Sequence, residues 1–274
     1  MKARINARAA LLLGCSAMIL IAPAALQAQG RGRGAAPNTP TTPKAAAPID
    51  LTGYWVSQIV DEWRFRVTPV KGDILYMPLN AEARKVAAAW DPDKDTAEGH
   101  ECKAYGAVGV MQRPGRLHIN WEDDATLRID FDAGTQTRLL HFGPPPAQKP
   151  AASWQGYSTA QWLVQGRVLL DTGGTGFVPG LFGIRGAPPK GGTLRVTTTN
   201  MLPGYLRKNG VPYSANAVLN EYVNLLTGAN GQEYLAVTAM VDDPAYLNQP
   251  FIRTYNFKKQ ADASGWAPTT CLPR

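Results

Sequence analysis

The chain has 274 residues, 28 of them basic and 21 acidic, with a formal charge of +7. Six of the basic residues (Lys2, Arg4, Arg8, Arg31, Arg33 and Lys44) lie in the first 49 positions, leaving 22 against the 21 acidic ones. The rest of the chain is nearly neutral, which argues against nucleic-acid binding through a basic face, because that needs clustered Lys and Arg.

Residues 1–28 read as a secretory signal: a basic start, an apolar stretch from Ala9 to Ile21, and a small-residue exit at Leu26-Gln27-Ala28. Leu12-Leu13-Gly14-Cys15 offers a lipoprotein alternative, although the apolar run continues past Cys15. No other apolar run approaches the ~20 residues that cross a bilayer. The mature protein is expected to be periplasmic or secreted, with no membrane span. Residues 29–49, rich in Pro, Ala and Gly and free of aromatics, are expected to be a disordered tether. Residues 50–274 are expected to form a single β domain.

Within that domain the hydrophobic pattern is mostly period two, broken by turn residues every ~8–12 positions, which favours a barrel or barrel-like sandwich. Strands are predicted over Gly53 to Val60, Trp63 to Val67, Arg116 to Glu122, Thr126 to Asp132, Thr135 to Phe142 and Ser153 to Val164. Further strands follow over Thr193 to Asn200, Val218 to Leu226, Glu233 to Val241 and Phe251 to Lys258. One helix is predicted, Ala81 to Trp90, with Asn80 as N-cap and Asp91-Pro92 as its stop. The Gly- and Pro-rich stretch Gly166 to Gly192 reads as a long excursion over an open end.

Two short turns set the register between positions 116 and 142. A three-residue loop at Asp123-Asp124-Ala125 places Trp121 opposite Leu127, Ile119 opposite Ile129 and Leu117 opposite Phe131. The other face then sets His118 against Asp130. A turn at Ala133-Gly134 places Arg138 opposite Ile129 and Gln136 opposite Phe131. Gln136 and Arg138 therefore share the apolar face. A charged guanidinium there needs a partner, because an unpaired buried charge is costly.

That argument makes Arg138 the anchor for an anionic ligand group, assisted by Gln136. The plain alternatives are an ion pair with Asp61 or Glu62, or an exterior arginine in a different register. His118 and Asp130 are the candidates for an oriented general base, against a solvated surface pair. Tyr105, close to Cys102, is a second proton-transfer candidate, against a packed tyrosine. Trp63, Trp121, Trp154 and Tyr157, all on predicted strands, are candidates to line an aromatic cup, against ordinary core. Tyr205 and Arg207, in a polar loop with an Asn209-Gly210 turn, are candidates for its rim. Arg64 and Arg66 alternate with Trp63 and Phe65, which on a strand leaves the arginines in solvent.

Once Cys15 has left with the signal, Cys102 and Cys271 remain and are expected to pair in an oxidising compartment, the alternative being two free thiols. Three histidines without close ligand spacing predict no metal site. There is no phosphate-cradling loop, nucleophile elbow or nucleotide fingerprint, so no cofactor is expected.

The strings Thr135-Gln136-Thr137-Arg138, Ser153-Trp154-Gln155-Gly156-Tyr157-Ser158 and Asp242-Asp243-Pro244-Ala245-Tyr246-Leu247 resemble a family of exported, mostly uncharacterised bacterial proteins. So does Gly192-Thr193-Leu194-Arg195-Val196-Thr197-Thr198-Thr199-Asn200, running into Pro203-Gly204-Tyr205-Leu206-Arg207-Lys208-Asn209-Gly210-Val211-Pro212-Tyr213-Ser214. The resemblance covers Leu51 to Cys271 and brings no catalytic assignment. The Gly166 to Gly192 excursion departs from the commoner pattern. A looser resemblance points to exported, cofactor-free enzymes acting on lignin-derived aromatic dimers, and Gly53-Tyr54-Trp55 is similar to the Gly-x-Trp start of lipocalin-like barrels.

Together these readings predict an all-β, lipocalin-like antiparallel barrel with one short helix. The expected function is a cofactor-independent lyase or decarboxylase acting on a hydrophobic, aromatic small molecule. The alternative is a lipocalin-like small-molecule-binding protein without turnover.

Overall fold

The computed structural model describes residues 42–67, 69–164 and 191–273. The signal, most of the tether and the 166–190 part of the excursion lie outside the described residues. Eleven strands are described: β1 Gly53–Gln58, β2 Arg116–Trp121, β3 Thr126–Phe131, β4 Gln136–Phe142, β5 Tyr157–Val164, β6 Gly192–Thr199, β7 Gly204–Arg207, β8 Val211–Tyr213, β9 Val218–Thr227, β10 Glu233–Asp242 and β11 Phe251–Gln260. The helices are α1 Trp63–Val67, α2 Ala81–Ala89, α3 Pro92–Ala97 and α4 Ala107–Val110, with a 3-10 turn at Glu101–Tyr105.

Nine strands close into a barrel in the order β1-β11-β10-β9-β6-β5-β4-β3-β2, and β7 and β8 form a separate hairpin. The barrel pairs are antiparallel, except β4 with β5, which run parallel. Alternation explains the closure. Leu117, Ile119, Leu127, Ile129, Leu194, Val196, Leu219, Val237 and Phe257 are buried on strands whose intervening residues are more open. The predicted register from 116 to 142 is the observed one: His118 lies opposite Asp130, Ile129 opposite Arg138 and Phe131 opposite Gln136. Gly134, at φ 74°, makes the second turn possible.

The helices and the β7–β8 hairpin cap the barrel end at which β1 finishes and β11 begins. Asn80 Oδ1 accepts from Ala83 N at 2.9 Å and starts α2 as predicted, and Ala83 and Ala87 bury one face of it. Pro92 does more than end that helix, since it opens α3, whose first turn tolerates a residue with no N–H. The opposite end is covered by residues 42–52. Lys44 N donates to Asp124 O, and Trp162 Nε1 donates to Pro43 O. The tether predicted over 29–49 is therefore corrected for its last part: from residue 42 the chain is docked.

Two predicted strands change. Trp63 to Val67 is helix α1, not a strand. Glu62 adopts φ 49°, and its carbonyl accepts from Phe65 N and Arg66 N. The neighbours Phe65 and Arg66 are both buried, which a strand would forbid by sending them to opposite faces. The strand predicted from Ser153 starts only at Tyr157, after a turn at Gly156 (φ 62°), so Trp154 is not on it. The disulfide between Cys102 and Cys271 ties the C-terminal segment to the cap. Among the described residues no helix is long and apolar enough to cross a membrane.

Candidate functional site

Arg138 projects into the barrel and is 1% exposed, as the register requires. It does not wait there for a ligand. Glu221 on β9 grips it through two bonds, Nη1 to Oε1 at 3.1 Å and Nη2 to Oε2 at 2.6 Å, and Thr198 Oγ1 accepts from Nη2 at 3.2 Å. A bidentate carboxylate engages both terminal nitrogens and neutralises the charge, leaving only Nε without a hydrogen bond. The expectation of a ligand anchor is thereby corrected to a structural pair, and the partner is neither Asp61 nor Glu62. Gln136 lies at the mouth of the barrel, where it accepts from Gln155 Nε2 at 2.8 Å and donates to Gly134 O, beside the disulfide sulfurs.

The catalytic candidates resolve differently. His118 stacks on Tyr54 at 4.2 Å on the outer wall, with Trp266 edge-on. Asp130 is taken by Arg128, at 2.9 and 3.0 Å, and by Thr137 at 2.6 Å, so no His–Asp dyad forms although the residues sit opposite each other. Burial pushes the Asp130 carboxyl up, but these hydrogen bonds outweigh it and hold it below the usual range. Tyr105 is a packed tyrosine. Its ring abuts Gly134, and its hydroxyl accepts from Leu272 N at 3.3 Å.

The aromatic cup does not assemble either. Trp63 is 65% exposed on α1. Trp121 packs with Phe142 and, through it, Trp162 at the end covered by residues 42–52. Trp154 stands edge-on to His100, and Tyr157 stacks on His141. Tyr205 donates to Asp95, whose carboxylate also receives Lys103 and Trp90. Burial together with this carboxylate pushes the Tyr205 phenol up. Asp95, Glu98 and His100 have potential ligand atoms within 4.8 Å of one another, yet the buried carboxylate among them is already engaged by three donors.

A different group of charges meets where the cap rests on the barrel. Arg66 from α1, Arg113 from the turn after α4 and Arg207 from β7 are 2%, 5% and 1% exposed. Glu62 clamps Arg207 (Nη2 to Oε1, 3.1 Å) and Arg253 (Nε to Oε2, 2.8 Å), and the Arg207 guanidinium lies 4.0 Å over the Phe65 ring. Arg66 Nε donates to Gln112 O at 3.2 Å, and Arg113 Nε to Gly109 O at 3.4 Å. The terminal nitrogens of both, four in all, are buried and make no hydrogen bond. Asp61 stands 3.6 Å from Arg66 Nη1, beyond hydrogen-bonding distance. Below them Tyr255, on the inner wall of β11, lies under the Arg66 guanidinium at 5.3 Å.

Burial depresses the Arg113 guanidinium to about 10, and the neighbouring Arg66 and Arg207 push the same way. Burial lowers Arg66 and Arg207 too, against the pull of nearby acidic groups. Burial pushes the Tyr255 phenol up, which keeps it a proton donor. Such an assembly is suited to receive negative charge. Buried guanidinium nitrogens without hydrogen bonds are normally avoided, and an anion reaching the terminal nitrogens of Arg66 and Arg113 would supply them.

Of the residues singled out from sequence, Arg207 is the one that belongs to this seat. Arg66 was expected in solvent on a strand, and its burial follows from α1 being helical. Arg113 and Tyr255 were missed. An arginine in Gln112-Arg113-Pro114-Gly115 has the signature of a surface turn, and the available signal was the apolar run Ala107 to Met111 directly before it.

No family model matches the chain, and no curated protein or solved structure is significantly similar to it.

Proposed function

We propose that this chain is an exported barrel protein that binds a small organic anion, with the anionic group seated between Arg66 and Arg113. This is the binding-protein alternative raised by the sequence, with the anchor moved from Arg138 to the cap. One observation carries it: two buried guanidinium groups whose terminal nitrogens have no hydrogen-bond partner, beside a third arginine that does. The four nitrogens are buried, so a ligand reaches them only if part of the surrounding cap moves aside. A disulfide suits an oxidising compartment, in line with the signal read from the sequence.

The test is thermal unfolding of the full chain with aryl carboxylates and, separately, with the matching uncharged amides. The acids are expected to raise Tm and the amides to leave it unchanged. Equal shifts from both series, or none from either, would overturn the reading.

One observation favours turnover by a cofactor-independent lyase or decarboxylase on a hydrophobic aromatic substrate: Tyr255, whose phenol burial pushes up, lies with its ring under the Arg66 guanidinium. General acid chemistry asks for such a donor within reach of the bound group. Product formation lost in Tyr255→Phe with binding retained would establish it. Binding without consumption of any aryl acid leaves the carrier.

A further inference from the structure

We infer that the seat selects a dianion of the phosphate-monoester class over singly charged acids, an inference that rests on the anion-binding reading above. The first argument is charge. Arg66, Arg113, Arg207 and Arg253 converge from three elements of the cap and one barrel strand. Among the described residues two carboxylates form ion pairs with these arginines. Glu62 is shared between Arg207 and Arg253, and Asp61 is 52% exposed and stands off from Arg66. Asp73, which also acts on Arg207, is already gripped by Arg64 at 2.7 Å. One shared glutamate and one solvent-screened aspartate leave about two positive charges uncompensated. A single carboxylate leaves one of them buried, whereas a dianion closes the balance.

The second argument is shape. A carboxylate has two oxygens in one plane, and one guanidinium fork satisfies them, as Glu221 shows with Arg138. Here two forks arrive from different elements, α1 and the turn after α4, and neither makes a hydrogen bond through its terminal nitrogens. A phosphoryl group offers three oxygens in a pyramid, so each fork can take an edge of it. The Tyr255 ring supports the Arg66 guanidinium from the barrel side, and Gln112 holds Arg66 in place. Its carbonyl accepts from Arg66 Nε, and its amide is tied to Leu206 O on β7.

The experiment is calorimetric titration of the full chain with four probes sharing one ring: phenyl phosphate, benzenesulfonate, benzoate and benzamide. At pH 7.5 phenyl phosphate is expected to bind at least tenfold more tightly than the two monoanions, and benzamide not at all. Its affinity is expected to fall about tenfold per pH unit below the second phosphate ionisation, near pH 6. That fall belongs to the ligand, so benzenesulfonate must not show it. Arg66→Met and Arg113→Met should each abolish the preference, with far-ultraviolet circular dichroism confirming that they fold.

If benzoate or benzenesulfonate matches phenyl phosphate, dianion selection is overturned while the anion seat stands. If no anion binds, the seat itself falls. Both results come from the wild-type protein and do not depend on how the variants behave.

Discussion

Two arginines lie equally deep in this molecule and lead opposite lives. Arg138, inside the barrel, is closed off by a two-point grip from Glu221 and a bond to Thr198. Arg113, under the cap, bonds one carbonyl through Nε, and both its terminal nitrogens are left over. Burial alone thus says little about function. What distinguishes a structural guanidinium from a receptive one is whether the fold supplies its counter-charge. Barrel strands facing each other across an interior can do so with a single carboxylate. The cap instead gathers cations from several short elements around one glutamate, and its charge is left open.

The largest test of that contrast is Arg138→Met. It strands Glu221 in the interior and should cost about 3–5 kcal/mol of unfolding free energy in denaturant titration, while adding Glu221→Leu should restore most of the loss. Arg113→Met should act with the opposite sign. Removing an unpaired buried charge should stabilise the ligand-free protein by about 1–3 kcal/mol and abolish the thermal shift given by anions. A loss of stability on the scale of Arg138→Met would erase the distinction between the two sites.

The stabilisation by Arg113→Met should also depend on pH. Burial holds the folded-state value, near 10, below that of a free guanidinium, so between the two the folded chain binds fewer protons than the unfolded one. The cost of burying this charge is therefore full below about pH 10 and fades as pH rises toward the free guanidinium's value. The stability gap between variant and wild type should shrink over that window in denaturant titrations.

The smallest effect is expected on the outer wall. Asp130 is held below its usual range, so its contribution is present above the unfolded value of about 3.9 and is lost as pH falls through the folded one. Being partly exposed, the pair with Arg128 is worth under about 1 kcal/mol, and Asp130→Asn should flatten the acid limb only slightly. His118→Ala should leave anion affinity within about twofold, since the ring lies on the barrel exterior.

The parts of this molecule that could be read from the chain are those fixed locally. The register of β2, β3 and β4 followed from two short turns and strict alternation, and it placed Arg138 at its correct depth. Its partner could not be read. Glu221 lies 83 positions away and meets Arg138 only because the sheet closes on itself. The seat was hidden for a second reason. Trp-Arg-Phe-Arg over positions 63–66 alternates like a strand, and five residues are too few for a helical period to show. Only the tertiary anchor at Glu62 decides that Arg66 turns inward with Phe65.

Pairing β1 directly with β11 has a consequence for how the chain acquires its shape. The seam joins the first barrel strand to the last, and the cysteine link reaches from position 102 to 271. Nearly the whole polypeptide must therefore be present before either closure is possible. Long-range closures of this kind make assembly slow, and they leave a part-made sheet with bare edges until the final strand arrives.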